Sequence, residues 1–586
     1  MPTKVENWKD EVYGNEIRDH LMTFAEEGWD AIPEDEHDAW FERFKWWGLY
    51  HQRSGQESYF MMRIGTPNGV IEPGQLDVIA EVADKYARGP VDNPEFGDAY
   101  CDWTTRQSIQ LHWIKIEDIP EIFDMLESVG LSTQQACGDS WRNIVGCPVA
   151  GKDTHEHIDA WPVAEDLHDT FKGDDDYANL PRKWKVSVTG CDQGCGQGDI
   201  NDLAFEPAEK DGELGFNVRV GGGLARKEPR FARDIDVWVP TDRVDDMSAG
   251  MSALFREYGD REDRFNARIK FLMDEWGPEK MRSVLQEEFV DFELPSAGED
   301  MRDQYTYNAG DNEHGDHVGV YEQPDGNYYV GLNVLVGRMG VDDVYELADL
   351  ADEYGSGEVR LTQRQNIIVT DVDSDRLDAF LDEPLLEDYS PDPHPFMRGS
   401  IACTGTEFCS LSIVETKNRQ VRYARWLTDN VSLPEGVEDF HIHLSGCTAS
   451  CAQPQIADIS LRGMKTRKDG EPVEAFDIGL GGGLGENPLF ADWVEMRVAA
   501  DEVPGYIDNL LDAFEAKRDG DETFRDFVAD RDEATLQDLA DPEETSYDDP
   551  YLGNTKMTWY PYAEDTDMQS SPAPTDADDQ PLPSDD

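Results

Sequence analysis

HIHLSGCTASCAQPQIADISL (441–461) and KVSVTGCDQGCGQGDINDLAF (185–205) are one pattern written twice. Each copy runs from an apolar segment through G-C-x3-C and a polar turn into a second apolar segment. GFNVRVGGGL (215–224) and AFDIGLGGGL (475–484) follow them in the same order. Upstream, SYFMMRIGTPNGVIEPGQLDVIAEVADKYARG (58–89) matches NYYVGLNVLVGRMGVDDVYELADLADEYGSG (327–357), and TTRQSIQL (104–111) matches LTQRQNII (361–368). The longer pair reads as strand, turn and amphipathic helix. The order is therefore A–B–A′–B′, a duplication. It predicts an α+β fold of pseudo-twofold symmetry with a ligand site where the four units meet.

The copies differ in their cysteines. The second half carries Cys403 and Cys409 in ACTGTEFCSLSIVETKNR (402–419), then Cys447 and Cys451. A C-x5-C pair followed by a C-x3-C pair supplies four thiolates, the number a cubane iron–sulfur cluster needs. A structural zinc is the alternative, but its cysteine pairs are usually spaced C-x2-4-C, so C-x5-C favours the cluster. A helix is expected to begin at Cys409, its N-terminal N–H groups favouring negative thiolates. In the first half Cys191 and Cys195 match Cys447 and Cys451, Cys137 matches Cys403, and Asn143 stands where a fourth cysteine is needed. An inert remnant of the duplication, or a structural thiol pair, is the expectation there; a second metal site is the alternative. The 9 cysteines, odd in number and clustered, suit metal or redox ligands in a reducing compartment better than a disulfide framework.

At 586 residues the chain is too long for one core, and about three or four domains are expected. Its net charge of −74, from 125 acidic and 51 basic residues, repels nucleic acid and anionic membranes, so neither is expected as a partner. The acids also fall inside amphipathic segments such as VDDVYELADLADEYG (341–355), beside aromatic and β-branched runs that disordered acidic chains lack. The reading is a folded protein of a very salty cytoplasm. No secretory signal is read in MPTKVENWKDEVYG, and no apolar run reaches the ~18–20 residues of a membrane span. Against this acidity, cations stand out in acid-poor stretches: Arg106 in TTRQ, Arg142 in SWRNIVGCPVAG, and Lys183 and Lys185 in LPRKWKV. The repeat places them near one junction, where they would hold an anion. The glycine runs 221–223 and 481–483 permit close backbone approach to a ligand or form tight strand turns. They do not fit G-x-G-x-x-G, and no Walker A sequence occurs, so no nucleotide site is read. His155 and His157 form an H-x-H best read as an exposed loop.

Together these residues resemble the siroheme-dependent nitrite and sulfite reductases, specifically the ferredoxin-dependent group, over about residues 50–540. The paired C-x5-C and C-x3-C, TTRQ, RNIVGCPVAG, NLPRKWKV, INDLAF and the glycine runs occur in that family's order. The resemblance implies two ferredoxin-like units and two larger siroheme- and Fe–S-binding α+β units in pseudo-twofold symmetry. It implies a [4Fe–4S] cluster on Cys403, Cys409, Cys447 and Cys451, with Cys451 bridging to the siroheme iron. It makes Arg106, Arg142, Lys183 and Lys185 the catalytic anion-binding cations, Arg106 and Arg142 also contacting siroheme. Reduced ferredoxin is the implied donor, a small oxyanion the substrate, and a cytoplasmic monomer the expected form. Nitrite is favoured by GCTASCAQPQIADI and the segment after it; sulfite is the alternative, because Lys185 stands where plant-type nitrite reductases tend to carry Asn. The cysteine of the Tyr–Cys cross-link found in some sulfite reductases is replaced by Ser140. A non-catalytic electron carrier is a further alternative, disfavoured by the four cations. The expected division is an acidic helical extension (1–45), a ferredoxin-like unit (46–130), a siroheme-binding domain (131–261), a helical linker (262–315), a second ferredoxin-like unit (316–392), the cluster domain (393–547) and an acidic disordered tail (548–586).

Overall fold

Alternation and amphipathicity decide the small units. In the strand Tyr59–Ile64, Phe60, Met62 and Ile64 are buried and their neighbours are not, as a strand with one face on a core requires. The helix Gln75–Tyr86 buries Leu76, Ile79, Ala80, Val82 and Ala83, one stripe at helical spacing. The structure, a computed structural model, describes residues 3–553 except 54, 55, 57, 91, 226, 227, 303–315, 438, 486 and 542–545.

Four sheets carry the fold. The first small sheet is antiparallel and runs Leu49–His51, Tyr59–Ile64, Ile109–Lys115, Tyr100–Trp103 and Arg338–Gly340. The second runs Gly319–Glu322, Tyr328–Leu332, Ile367–Val372, Val359–Leu361 and Val70–Ile71. Each small sheet thus takes its last strand from the other half of the chain: Arg338 pairs with Asp102, and Val70 with Arg360. The helices Gln75–Tyr86 and Val341–Tyr354 share one apolar core with both sheets and with Ile17, Leu21, Trp40 and Phe44 of the N-terminal helices.

The two large sheets are mixed. Val145–Gly146, Val186–Val188 and Leu203–Lys210 are parallel, and Glu213–Val220 and Arg233–Pro240 continue antiparallel. Ser400–Ala402, Ile442–Ser445 and Ile459–Lys468 are parallel, and Glu471–Leu480 and Asp492–Ala499 continue antiparallel. The duplicated α+β architecture is therefore as the repeats predicted. Its pseudo-twofold axis passes between equivalent side chains. Gln453 donates to Gln197 at 2.7 Å, and Phe231 stacks on Phe490 with centroids 3.8 Å apart.

Two expectations need correction. TTRQ matches TQRQ one residue later than the 104–111/361–368 pairing: Thr104 N–H donates to Ser108, and Thr362 N–H to Asn366. Gln107 and Gln365 both adopt positive φ, and each side chain donates across the axis, Gln107 to Leu361 and Gln365 to Trp103. Of the two readings of the glycine runs, close packing on the protein's own backbone holds for their middle residues. A Cβ on Gly222 would lie 2.5 Å from the Asp199 carbonyl, and one on Gly482 2.5 Å from that of Gln455, distances no side chain tolerates. The disordered tail cannot begin at 548: Asp549 and Tyr551 are buried, and Asp549 accepts a hydrogen bond from Arg419 Nε at 2.8 Å. The rest of that expectation, from 554 on, lies outside the described residues.

Candidate active site

The four cations meet where the first small sheet reaches the first large sheet. Arg106 lies in the turn between strands Tyr100–Trp103 and Ile109–Lys115. Asn143 Nδ2 clamps that turn, donating to the carbonyls of Thr66 (2.8 Å), Arg106 (2.9 Å) and Gln107 (3.0 Å). The Arg106 guanidinium donates to Asn201 Oδ1 at 2.8 Å and to the Asn143 carbonyl at 2.6 Å, while its buried Nε has no partner. Arg142 is held by the Gly138 carbonyl through Nε (2.9 Å) and Nη2 (2.7 Å). Lys183 and Lys185 immediately precede the strand Val186–Val188. Among the described residues neither ammonium donates a hydrogen bond to the protein.

These groups act on one another. Burial, then the charges of Arg268, Arg142 and Arg182, push Lys183 well below the ordinary lysine range. Burial, then Arg106, Lys183 and Arg268, do the same to Lys185. Crowded, unpaired ammonium groups constitute a site for an anion, whose charge relieves the repulsion. Two members were missed from sequence. Arg63, on the solvent-side alternation of Tyr59–Ile64, donates to Cys137 Sγ at 3.1 Å and feels the charge of Cys451. Arg268 pairs with the buried Asp202 at 2.7 Å. A lone arginine among apolar strand residues was the available signal for Arg63; for Arg268 there was none.

The second-half thiols lie at the ends of the parallel strands Ser400–Ala402 and Ile442–Ser445. Gly446 N–H donates to Cys403 Sγ at 3.2 Å, and Ala449 N–H to Cys447 Sγ at 3.4 Å. Backbone N–H groups of Leu411 and Ser412 serve Cys409. Burial, with the charge of Cys451, pushes the thiols of Cys403 and Cys409 up, to about 12 and about 11. Cys451 is exposed and is felt by the other three thiols and by Arg63 and Lys183. It therefore neighbours both the other thiols and the cations Arg63 and Lys183. Among the described residues no three of these four Sγ atoms lie within 4.8 Å of one another. One ion needs such closeness; a cubane, with an iron beneath each thiolate, does not. The donor set fits the cluster.

The helix expected at Cys409 begins instead at Lys417. Its first N–H groups are taken by Glu415, whose carboxylate accepts from Asn418 (3.0 Å) and Arg419 (2.7 Å), so that terminus does not serve the thiolates. The cluster loop is anchored through Glu407, between Cys403 and Cys409, which accepts from Arg338 (2.6 Å), Tyr100 (2.7 Å) and Asn93 (2.9 Å). His155 lies 3.6 Å from Asp192, and His157 is exposed.

The first-half correspondence also changes. Gly146 pairs with Val188 as Ala402 pairs with Leu444, so Cys147, not Cys137, is the counterpart of Cys403. Six residues on from Cys147 stands Asp153, the counterpart of Cys409. Asn143 is a clamp rather than a lost ligand, and Cys137 belongs with Arg63.

A fold of this symmetry, with four thiols beside an anion recess, defines an iron–sulfur oxyanion reductase. The chain belongs to the nitrite and sulphite reductase family. The nitrite and sulphite reductase 4Fe-4S domain matches residues 137–291 and 394–545. The nitrite/sulfite reductase ferredoxin-like half domain matches 51–92, 94–129 and 321–386. The chain is 54% identical to the assimilatory ferredoxin-dependent nitrite reductase of Haloferax mediterranei, over 99% of this chain and 100% of that one. It is 39% identical to the ferredoxin–nitrite reductase of Synechococcus elongatus, over 87% and 96%. The solved structure of the Mycobacterium tuberculosis NirA protein superposes with a TM-score of 0.82 at 31% identity, over 92% of this chain and 98% of that one. A [4Fe–4S] cluster and siroheme are the cofactors of this class.

Proposed function

We infer that this chain reduces nitrite to ammonium in nitrogen assimilation, taking six electrons, one at a time, from reduced ferredoxin. The observation that carries this reading is that Cys451 neighbours both the three further thiols and the cations Arg63 and Lys183. Cys403, Cys409, Cys447 and Cys451 would hold the cluster, with Cys451 on its siroheme side. The cluster–siroheme pair, when bound, supplies the electron path and an iron that holds the substrate.

The protein's own contribution is electrostatic and protic. Nitrite enters as an anion, and NO2−, eight protons and six electrons become NH4+ and two waters. Arg106 and Arg142, fixed on backbone carbonyls, neutralise the substrate and the cofactor's carboxylates. Lys183 and Lys185, held below the ordinary lysine range, donate protons as each oxygen departs as water. Asn143 fixes the Arg106 turn and so sets the distance between these groups.

Sulfite is the second reading, favoured by the extra cation at Lys185. The test uses holoenzyme purified in molar salt with reduced ferredoxin or a reduced viologen as donor. The expected result is a higher kcat/KM for nitrite than for sulfite. Faster turnover of sulfite overturns the choice of substrate, and turnover of neither supports an electron carrier. No helix among the described residues is long and apolar enough to cross a membrane.

A further inference from the structure

The corrected correspondence leaves a second set of donors unexplained. Cys147, Asp153, Cys191 and Cys195 occupy, in the first half, the four places that Cys403, Cys409, Cys447 and Cys451 occupy in the second. They converge more tightly. The donor atoms of Cys147, Asp153 and Cys191 lie within 4.8 Å of one another, as do those of Cys147, Cys195 and His317. Cys191 Sγ and Cys195 Sγ are 3.0 Å apart. That is beyond the ~2.05 Å of a disulfide and within reach of the ~3.8 Å edge that ~2.3 Å zinc–sulfur bonds give a tetrahedron.

The set is also buried. Cys147, Cys191, Cys195 and Asp153 are 1%, 0%, 8% and 4% exposed. Asp153 Oδ1 accepts from the His155 N–H at 2.9 Å, but its buried Oδ2 has no partner. A buried carboxylate with one oxygen lacking a bond, beside the thiols of Cys147 and Cys191, is costly unless a cation completes the group. The spacing Cys191-x3-Cys195 falls in the range of structural zinc pairs, a range that its counterpart Cys447-x3-Cys451 shares.

We propose that the first half holds one zinc ion, ligated by the thiolates of Cys147, Cys191 and Cys195 and the carboxylate of Asp153. The duplicated cluster site has thus become a closed single-ion site. Asp153 explains the difference: an oxygen ligand suits a divalent ion better than a sulfide cubane, and the donors have drawn together around one centre. The ion fastens the loops after the strands Val145–Gly146 and Val186–Val188, at the opposite end of Val186–Val188 from Lys185. His317 stands beside it from the second half of the chain.

The test is elemental analysis and zinc-edge X-ray absorption on holoenzyme purified in molar salt. The expected result is about one zinc per chain beside about five irons, with three sulfurs and one lighter atom in the zinc shell. Cys191→Ser/Cys195→Ser should lose about tenfold or more of the zinc while keeping the cluster's electron paramagnetic resonance signal. Should that variant fail to fold, Asp153→Asn, which keeps the thiols, should release zinc to a chelator several-fold faster. Four results overturn the proposal. They are zinc-free enzyme with free thiols or a Cys191–Cys195 disulfide by mass spectrometry, about nine irons per chain, a zinc shell without sulfur, or unchanged zinc in the variants.

Discussion

Lys183 and Lys185 carry most of the chemistry, because among the described residues their ammonium groups donate no hydrogen bond while Arg106 and Arg142 are tied to carbonyls. Replacing either lysine by Met should lower kcat/KM for nitrite by about 10²-fold or more, the usual cost of removing one preorganised charge from a developing anion. Steady-state assay of variants that retain full siroheme absorbance checks this. The direction of their shifts fixes a pH dependence. Both are pushed down, so the active ammonium form is present at lower pH and lost as pH rises through the depressed values. The alkaline limb of kcat/KM should fall well below the ~10.4 of a free lysine, and Lys183→Arg should move that limb upward. Lys185→Asn should raise the nitrite-to-sulfite ratio of kcat/KM; an unchanged ratio would free Lys185 of any part in selectivity. At this scale the sequence was informative where residue type was scarce. Lysines and cysteines in an acidic, cysteine-poor chain mark themselves. Asn143 and Asp153 do not, since an amide or carboxylate gives no sign of whether it clamps a turn or faces thiols. The Cys137 assignment failed because a match counted along the chain ignored the strand register that places Cys147 opposite Cys403.

Among the elements, the short strand Arg338–Gly340 connects fold to site. Arg338 is fully buried and pairs with Asp102 (2.6 Å) in the neighbouring strand and with Glu407 (2.6 Å) in the cluster loop. Burial alone would raise the Asp102 carboxyl; Arg338 and Lys417 hold it well below the usual carboxylate range. A depressed carboxylate contributes stability that is present above its unfolded value near pH ~4 and lost as pH falls through the folded value. Arg338→Met strands two buried acids and should cost about 3–5 kcal/mol, read as a lower urea midpoint at neutral pH, with a smaller loss in strong acid where Asp102 is protonated. The helix at Lys417 shows why boundaries were harder to read than existence. Its amphipathic run is visible in the sequence, but Glu415 caps it from a residue that propensity alone does not distinguish from helix interior. The strands near the glycine runs were legible because both copies repeat them, and a duplicated error is rarer than a single one.

For the whole molecule, charge and symmetry make separate predictions. A net charge of −74 is tolerable at molar salt, where the Debye length is ~3 Å, and not at 0.1 M, where it is ~10 Å. Dilution of salt to 0.1 M should lower Tm by ten degrees or more, followed by circular dichroism; an unchanged Tm would remove the halophilic reading of the surface. The same screening lets an acidic ferredoxin approach an acidic enzyme, so docking should weaken as salt is removed, contrary to ordinary steering between opposite charges. Architecture was legible at this scale because the duplication is written in the sequence; the exchange of strands was not, since a two- or three-residue strand carries no period of its own. That exchange has a temporal consequence. A ribosome releases Val70–Ile71 long before the sheet that receives it exists, and the first sheet waits for Arg338–Gly340. Neither half can be finished in instalments, so the pocket closes only after most of the polypeptide has been made, and the prosthetic groups must be loaded late in the life of the nascent chain.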